Sequence, residues 1–394
     1  MFESLLVYCT LAFVMIVCCR TAVNRLNGPH GDLLKEHVLL MPEMLIAMAA
    51  FVFVFGCRWG VGVDFYRYLE TYESGGSERH EFLFKQITFF LHKIDAHFSV
   101  FFGVWAFLDV FLLYYSIRKY PYIFPYVAFF LIFGSYYLPM MNVIRQHIST
   151  GIFMVSITYI KERKFVKYLA CCFIALLFHK LSAILFVFYP LLKGNFDWFK
   201  SIRFQVILLA LAIYLKGGLF IRMIEIPFAW LTDVMDYDNY EFEMLQDERW
   251  FRGKFGSGRN LGLFIGMLKN VPIILLSAKL KQYYKSKMFN LFYTLFFMGV
   301  LGAILFGDSI ILNRVNYFLA NFQMIIYSFY VYFCFSKENR TPHLFRLGVF
   351  LLLLHIPIFW NMLDNEKSTA QYMFFWEYEP DPIPIIELEE DMFD

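Results

Sequence analysis

Charged side chains are scarce in this sequence. Only 17% of its 394 residues are charged, whereas 59% are hydrophobic and 21% are aromatic. Soluble domains carry roughly 25% charged residues, so the composition excludes a soluble globular protein. The net charge of +2 and the lack of a dense basic run also argue against a nucleic-acid partner. We therefore predict an all-α polytopic integral membrane protein.

Cysteine motifs, a cleavable leader and internal repeats are also missing. The seven cysteines lie mostly inside apolar runs and form no CxxC pair, which disfavours a metal site or structural disulfides. Glu3 stands where a signal peptide would carry positive charge, and no small-residue cleavage site follows. The first apolar run is therefore predicted to be a retained span. The chain shows no two similar halves, which many transporters have.

The apolar stretch from Phe165 to Leu192 determines the predicted topology. His179, Lys180 and Ser182 interrupt its middle. A membrane helix needs about 20 apolar residues, so the stretch forms either one long span or two short limbs. A single crossing would place two later basic loops outside, against the positive-inside rule. We therefore predict two limbs, residues 165–178 and 181–192, which enter and leave on the cytoplasmic side.

The same charge rule predicts about twelve membrane segments with both termini outside. These are residues 4–19, 38–57, 97–117, 121–139, 140–160, 165–178, 181–192, 202–220, 261–280, 288–306, 311–335 and 344–363. A GT-C-like architecture is compatible with this count. Residues 1–394 then form a single transmembrane domain with three external regions. These regions are residues 58–96 with an interfacial amphipathic helix at their end, the large loop 223–260 and the acidic tail 364–394.

Charged residues near the external ends of the spans are the candidate functional groups. Such charges are retained in a membrane mainly where they pair or bind something. Two interpretations stay open for Arg145 and Arg314: they hold helices together through nearby acids, or they converge on an anionic lipid-linked ligand, which a guanidinium binds bidentately. Arg145 is the stronger candidate because its span is otherwise apolar. The full set is Arg58, Asp64, Glu81, Arg145, Asp308 and Arg314.

Other polar residues have two interpretations each. His179, at a predicted helix break, is either satisfied by a neighbouring carbonyl or transfers a proton or hydrogen bond to a substrate. Asp236 and Asp238 form a DxD pattern, but a solvated acidic loop explains it better than a metal site does, and no metal is predicted. Glu43 and Asp109 are expected to pair with a nearby base or backbone group.

Several short motifs resemble the EpsG/Wzy type of polysaccharide polymerases, which make O-antigen or exopolysaccharide. The segment CRWGVGVDFYRY is similar to that family's outer-loop signature, and the stretch from Arg145 to Ser182 is similar to its central region. The matching positions are Arg58, Gly60, Gly62, Asp64, Tyr68, Glu81, Arg145, Gln146, His179, Ser182, Ala183, Arg314, Tyr378 and Pro380. The chain departs from the pattern at Val63 and Lys180.

The resemblance implies an inner-membrane glycosyltransferase. It would polymerise undecaprenyl-pyrophosphate-linked repeat units at the periplasmic face, with the lipid pyrophosphate as leaving group and with no metal or other cofactor. Its partners would be the lipid-linked donor and acceptor, the bilayer, and a chain-length regulator and flippase of the same pathway. A lipid-linked glycan ligase, an acyltransferase and a polysaccharide flippase remain as alternatives.

The resemblance and the charge pattern together assign roles to individual residues. The predicted catalytic acids and bases are His179, Asp64 and Glu81. The predicted ligands of the pyrophosphate and substrate are Arg145, Arg314, Arg58, Gln146, Ser182 and Tyr68. The predicted sugar-stacking rings are Trp230 and Trp250 of the large loop.

Overall fold

Long apolar runs form helices throughout the chain, because a helix satisfies its own backbone hydrogen bonds where water is absent. A computed structural model describes residues 1–28, 34–76, 80–194, 196–216, 257–307, 310–339, 341–364 and 369–378. Within these ranges the only β-type pairing is one isolated bridge between Arg58 and Phe374. The predicted all-α class is therefore confirmed.

The first half of the chain contains ten helices among the described residues. They are α1 (Phe2–Leu26), α2 (Pro42–Gly56), α3 (Phe65–Glu73), α4 (Phe82–Lys93), α5 (Phe98–Ser116), α6 (Phe124–Phe133), α7 (Tyr137–Asn142), α8 (Ile144–Lys161), α9 (Phe165–Leu176) and α10 (Phe188–Leu192). Short 3₁₀ segments are Val38–Leu40, Pro121–Ile123 and Lys180–Val187.

The second half contributes six more described helices and a 3₁₀ turn, Phe375–Glu377. The helices are α11 (Ile202–Leu215), α12 (Ser257–Leu275), α13 (Ser277–Tyr284), α14 (Lys287–Phe306), α15 (Ile310–Phe335) and α16 (Pro342–Asp364).

Two ends of the helical bundle can be told apart by their contacts. At one end, which we call the Lys119 end, Lys119 lies 3.9 Å from Glu162 and the Arg25–Glu43 ion pair measures 2.7 Å. At the other, the Asp64 end, the start of α1 meets the C-terminal segment 369–378, where the Tyr8 hydroxyl donates to the Ala370 carbonyl at 3.0 Å.

Five described helices are long and apolar enough to cross a membrane, and α12 with α13 would make a sixth if the pair, bent by 54°, is one span. Five further apolar helices among the described residues have only 10 to 17 residues. The predicted count of about twelve membrane segments and a GT-C-like arrangement are therefore not confirmed by length and composition.

The predicted segments 121–139 and 140–160 are divided differently in the structure. Helix α6 ends at Phe133, and Ser135 follows with a left-handed φ of 61°. The short helix α7 comes next, and α8 begins only after Val143. The sequence predicts one break, after Pro139, whereas the backbone turns twice, near Ser135 and at Val143.

The stretch from Phe165 to Leu192 folds back on itself at His179. The Tyr168 hydroxyl of α9 donates to the Leu185 carbonyl at 2.6 Å, and the rings of Phe165 and Tyr189 lie 4.9 Å apart. Much of the returning limb is 3₁₀ helix, Lys180–Val187. The polar residues predict the turn. Nothing in the sequence of the returning limb distinguishes a 3₁₀ helix from an α-helix.

The predicted interfacial helix is α4. Phe84 and Leu91 are buried against the protein, while Phe82, Phe89 and Phe90 are each more than half exposed. Helix α3 in the same region was not predicted. Its buried residues Phe65, Tyr68, Leu69 and Tyr72 follow i, i+3, i+4, i+7 spacing, so the amphipathic pattern was present in the sequence.

The C-terminal segment 369–378 pairs with residues 57–62. Trp59 N–H donates to the Met373 carbonyl at 2.8 Å, and Gly62 N–H donates to the Thr369 carbonyl at 2.9 Å. Gly62 has a φ of +102°, and a Cβ there would collide with the Asn142 side chain. Glycine is therefore required where this segment passes α7.

We predict that Gly62→Ala destabilises the folded protein by roughly 1–3 kcal/mol, because alanine tolerates this φ poorly and its Cβ displaces Asn142. Thermal unfolding of the purified protein in detergent measures the change. The matched control is Gly266→Ala in α12, where a Cβ meets nothing within 4 Å and helix propensity favours alanine. Equal melting temperatures for the two variants would contradict the assignment.

Candidate functional site

The site is organised around the carboxylate of Glu81, which precedes α4. Its Oε2 pairs with the Arg145 guanidinium at the start of α8, and its Oε1 accepts the Lys180 N–H at 3.1 Å. The Glu81 side chain is only 11% exposed, so these contacts replace lost hydration. One carboxylate therefore ties α4 and α8 to the fold-back turn.

His179 lies at that turn with its side chain 8% exposed. Its Nδ1 accepts the Leu181 N–H at 3.1 Å and is 3.9 Å from Glu81 Oε1. Because Nδ1 is an acceptor, the proton of the neutral imidazole lies on Nε2. His179 can therefore donate a hydrogen bond from Nε2, but it is not directly bonded to Glu81.

Asp64 is the partly buried residue that precedes α3, and the helix does not use its carboxylate as a cap. Burial raises the pKa of Asp64, while the positive charges of Arg67, Arg314 and Arg145 act in the opposite direction. Asp64 therefore lies in the field of three arginines. Its raised pKa makes it a stronger base than an ordinary aspartate.

Tyr68 follows Asp64 by one turn of α3 and is 7% exposed. Its hydroxyl lies within hydrogen-bonding reach of the Arg145 guanidinium. Arg145 therefore contacts both Tyr68 and Glu81, and its own side chain remains 25% exposed.

Three consecutive residues at the start of α8 contact three different elements. Arg145 pairs with Glu81, Gln146 donates to the Arg314 carbonyl of α15, and His147 Nδ1 lies 2.7 Å from Asp109 Oδ1 of α5. Successive helical residues point about 100° apart, so one short segment can reach three neighbours. These contacts fix the rotation and depth of α8.

The His147 pair is completed by a third polar group. Asn321 Nδ2 of α15 lies 3.0 Å from His147 Nε2, while the side chains of His147 and Asp109 are 6% and 0% exposed. The expectation that Asp109 and Glu43 pair with nearby bases is confirmed, since Glu43 binds Arg25 at 2.7 Å.

Ser182 and Arg58 are enclosed by protein. Ser182 is 0% exposed, and its Oγ has no hydrogen-bond partner among the described residues. Arg58 is 1% exposed; its Nη1 donates to the Phe55 carbonyl at 3.1 Å, and its guanidinium lies 4.5 Å from the Phe102 ring centre. Arg58 was predicted to support the pyrophosphate; its Nε and Nη2 are buried with no hydrogen-bond partner among the described residues, and this role stays a prediction.

Several predicted residues lie outside the described ranges. They are Trp230, Trp250, Asp236, Asp238, Asp308 and Pro380. Among the residues that the structure does describe, no group of three or more histidine, cysteine or acidic side chains could hold a metal ion.

Sequence reasoning missed Arg67 and His80. Arg67 lies three residues after Asp64 on the same face of α3, a spacing that could have paired them. Burial and the nearby Arg145 and Arg67 lower the pKa of His80 to about 4, so this histidine is neutral at physiological pH.

We predict that His147→Ala destabilises the protein by about 3–5 kcal/mol, because it leaves the Asp109 carboxylate buried without its partner. Adding Asp109→Asn removes that charge, so the double variant is expected to recover part of the loss. Thermal unfolding in detergent is measured for His147→Ala, Asp109→Asn and the double variant, which together make a double-mutant cycle. Additive losses would show that the two side chains do not act as a pair.

Comparison with known proteins places these observations in a family. A search of curated proteins and a search of solved structures each returned no match. The model of the EpsG family matches residues 44–379. This match spans most of the chain and includes Asp64, Glu81, Arg145, His179 and Arg314. The chain therefore belongs to the EpsG family, a family of Wzy-type polysaccharide polymerases.

Proposed function

We propose that this multi-pass membrane protein is an inner-membrane glycosyltransferase that polymerises undecaprenyl-pyrophosphate-linked repeat units at the periplasmic face. Family membership supports a polysaccharide polymerase. The observation that carries the finer proposal is the convergence of Arg145, Arg314, Asp64 and His179 at one end of the bundle.

Charge distribution supports a periplasmic Asp64 end. Loops at the opposite, Lys119 end are rich in lysine and arginine, which remain on the cytoplasmic side of bacterial membranes. These residues are Arg118, Lys119, Lys161, Arg163, Lys164, Lys193, Lys200, Lys279, Lys281, Lys285 and Lys287. In this orientation the cluster around Glu81 faces the compartment in which surface glycans are assembled.

The arginines would bind the lipid pyrophosphate. Arg145 keeps its charge through contacts with Glu81 and Tyr68, and its Nε has no hydrogen-bond partner among the described residues. Cations held in place by the protein stabilise the negative charge that develops on the pyrophosphate as the glycosidic bond breaks. Arg314, whose charge already acts on Asp64, would supply a second cation.

Asp64 is the better candidate for the base. Glu81 already accepts hydrogen bonds from Arg145 and from the Lys180 backbone, so its two oxygens are engaged by the protein. Burial raises the pKa of Asp64, and the helix that follows does not use its carboxylate as a cap. The sequence left these two carboxylates and His179 equal, and these observations favour Asp64.

The reaction then follows from these roles. The hydroxyl oxygen of the acceptor attacks the anomeric carbon of the donor, and its proton passes to Asp64. The bond between that carbon and the pyrophosphate oxygen breaks, and the lipid pyrophosphate departs with the electron pair beside Arg145 and Arg314. His179 Nε2 would donate to an oxygen of the substrate. No nucleotide sugar is needed, because the lipid carrier already supplies a good leaving group.

Other partners remain predictions. The lipid-linked donor and acceptor follow from the proposed reaction, whereas a chain-length regulator and a flippase follow from the family resemblance. Sugar stacking by Trp230 and Trp250 also stays a prediction, since both lie outside the described residues.

We predict that Arg145→Lys lowers polymerisation by roughly 100-fold or more, because lysine keeps the charge but loses the planar fork of donors. Glycan chain length in a deletion strain complemented with the variant measures the loss. Arg203→Lys, an exposed arginine at the Lys119 end, serves as the matched control.

The deletion strain also separates the alternatives. Loss of a polymerase leaves single repeat units attached to the final acceptor, whereas loss of a ligase leaves none attached. Normal chain length in Arg145→Lys, at membrane levels equal to those of the control, would remove the arginine from the proposed mechanism.

We predict that the acidic limb of the pH–rate profile reports Asp64, whose base form is lost as pH falls through its raised pKa. Replacing Arg67 with alanine removes a charge that lowers the pKa of Asp64, so this limb moves to higher pH. Arg67→Lys keeps the charge and is expected to leave the limb in place. An unmoved limb in Arg67→Ala would argue that another group is the base.

A further inference from the structure

A cleft of about 860 Å³ lies at the Lys119 end, at the opposite end of the bundle from Asp64. Its walls come from α13, the end of α15, the loop that joins α15 to α16, the start of α16 and Tyr122. Its charged residues are Lys279, Lys285 and Glu338, and its aromatic residues include Tyr122, Tyr283, Tyr284 and Tyr332. Neither the predicted site nor the proposed reaction uses this cleft.

Contacts among the tyrosines hold the walls in place. The rings of Tyr122 and Tyr332 lie 4.5 Å apart, and the Tyr284 hydroxyl donates to the Phe329 carbonyl at 2.6 Å. The ring of Tyr283 packs 5.2 Å from that of Phe333. The aromatic wall of the cleft is therefore formed by packed side chains.

The lysines in and just after α13 differ in whether they form an ion pair. Lys281 pairs with Asp197 and donates to the Phe199 carbonyl at 2.8 Å, which joins α13 to the segment before α11. Lys279 and Lys285 are exposed, line the cleft and form no ion pair with any residue in the described ranges. Glu338 is the acidic residue among those that line the cleft, so the two lysines leave it with a net positive charge.

We propose that this cleft binds the headgroup of an anionic phospholipid from the cytoplasmic leaflet. It lies along the second half of α13, beside the end of α15 and the start of α16, both candidate membrane spans. Basic pockets at the cytoplasmic ends of spans suit lipid phosphates, and tyrosine favours the boundary between headgroups and acyl chains. Phe333 and Leu344 supply apolar surface for the adjoining glycerol and acyl carbons.

Cardiolipin and phosphatidylglycerol are the expected occupants, because their phosphates are not balanced by an amine. Phosphatidylethanolamine carries its own ammonium group and would compete with the lysines. A site for soluble phosphate would need no membrane and would accept inorganic pyrophosphate equally well. This inference rests on the basic end of the fold and does not depend on the polymerase reaction.

Native mass spectrometry of the delipidated full-length protein tests the site by titration with cardiolipin, phosphatidylglycerol, phosphatidylethanolamine or inorganic pyrophosphate. The double variant Lys279→Gln, Lys285→Gln is expected to bind the anionic lipids roughly 25-fold more weakly, at about fivefold per lysine. The matched control Lys193→Gln, Lys200→Gln removes two exposed lysines elsewhere at the same end and is expected to bind normally.

A third variant, Lys279→Arg, Lys285→Arg, keeps the charge and is expected to retain binding, which separates loss of charge from misfolding. Unchanged anionic-lipid binding in the glutamine variant would overturn the proposal. Equal affinity for phosphatidylethanolamine, or displacement of the lipid by pyrophosphate, would overturn it as well.

Discussion

The start of α8 carries polar side chains into an apolar bundle, and the structure depends on how they are satisfied. Arg145, Gln146 and His147 each find a partner on a different element, namely Glu81, the Arg314 backbone and Asp109. Unpaired polar groups in such surroundings cost several kcal/mol, so these contacts leave α8 little freedom to rotate or slide. The segments that carry Asp64, His179 and Arg314 are placed around a helix fixed in this way.

Glu81 links this constraint to the proposed chemistry. Because it binds Arg145 and the Lys180 N–H together, the fold-back turn at His179 cannot move independently of α8. The same contacts occupy Glu81 as an acceptor and leave Asp64, with its raised pKa, as the carboxylate suited to take a proton. In the proposed mechanism, structural and catalytic roles are divided between two acids that the sequence does not distinguish.

Much of this arrangement could be predicted from sequence because burying polar residues in apolar runs is costly. That rule predicted the turn at His179. It also predicted that Asp109 and Glu43 each have a partner, which are His147 and Arg25. It did not identify Asn321 as the partner of His147, or Phe102 as the surface under Arg58, because these contacts join distant parts of the chain. The breaks near Ser135 and Val143 were placed wrongly because several helix-breaking residues lie between Gly134 and Asn142, and the sequence does not show which of them end a helix.

In the proposed mechanism the arginines at the Asp64 end hold the lipid pyrophosphate. A structure of the protein in a lipid nanodisc with an undecaprenyl-pyrophosphate-linked donor would show these contacts. We expect pyrophosphate oxygens within hydrogen-bonding distance of Arg145 and Arg314, and a donor anomeric carbon on the side facing Asp64. Pyrophosphate bound at the Lys119 end, with Arg145 still paired only to Glu81 and Tyr68, would contradict it.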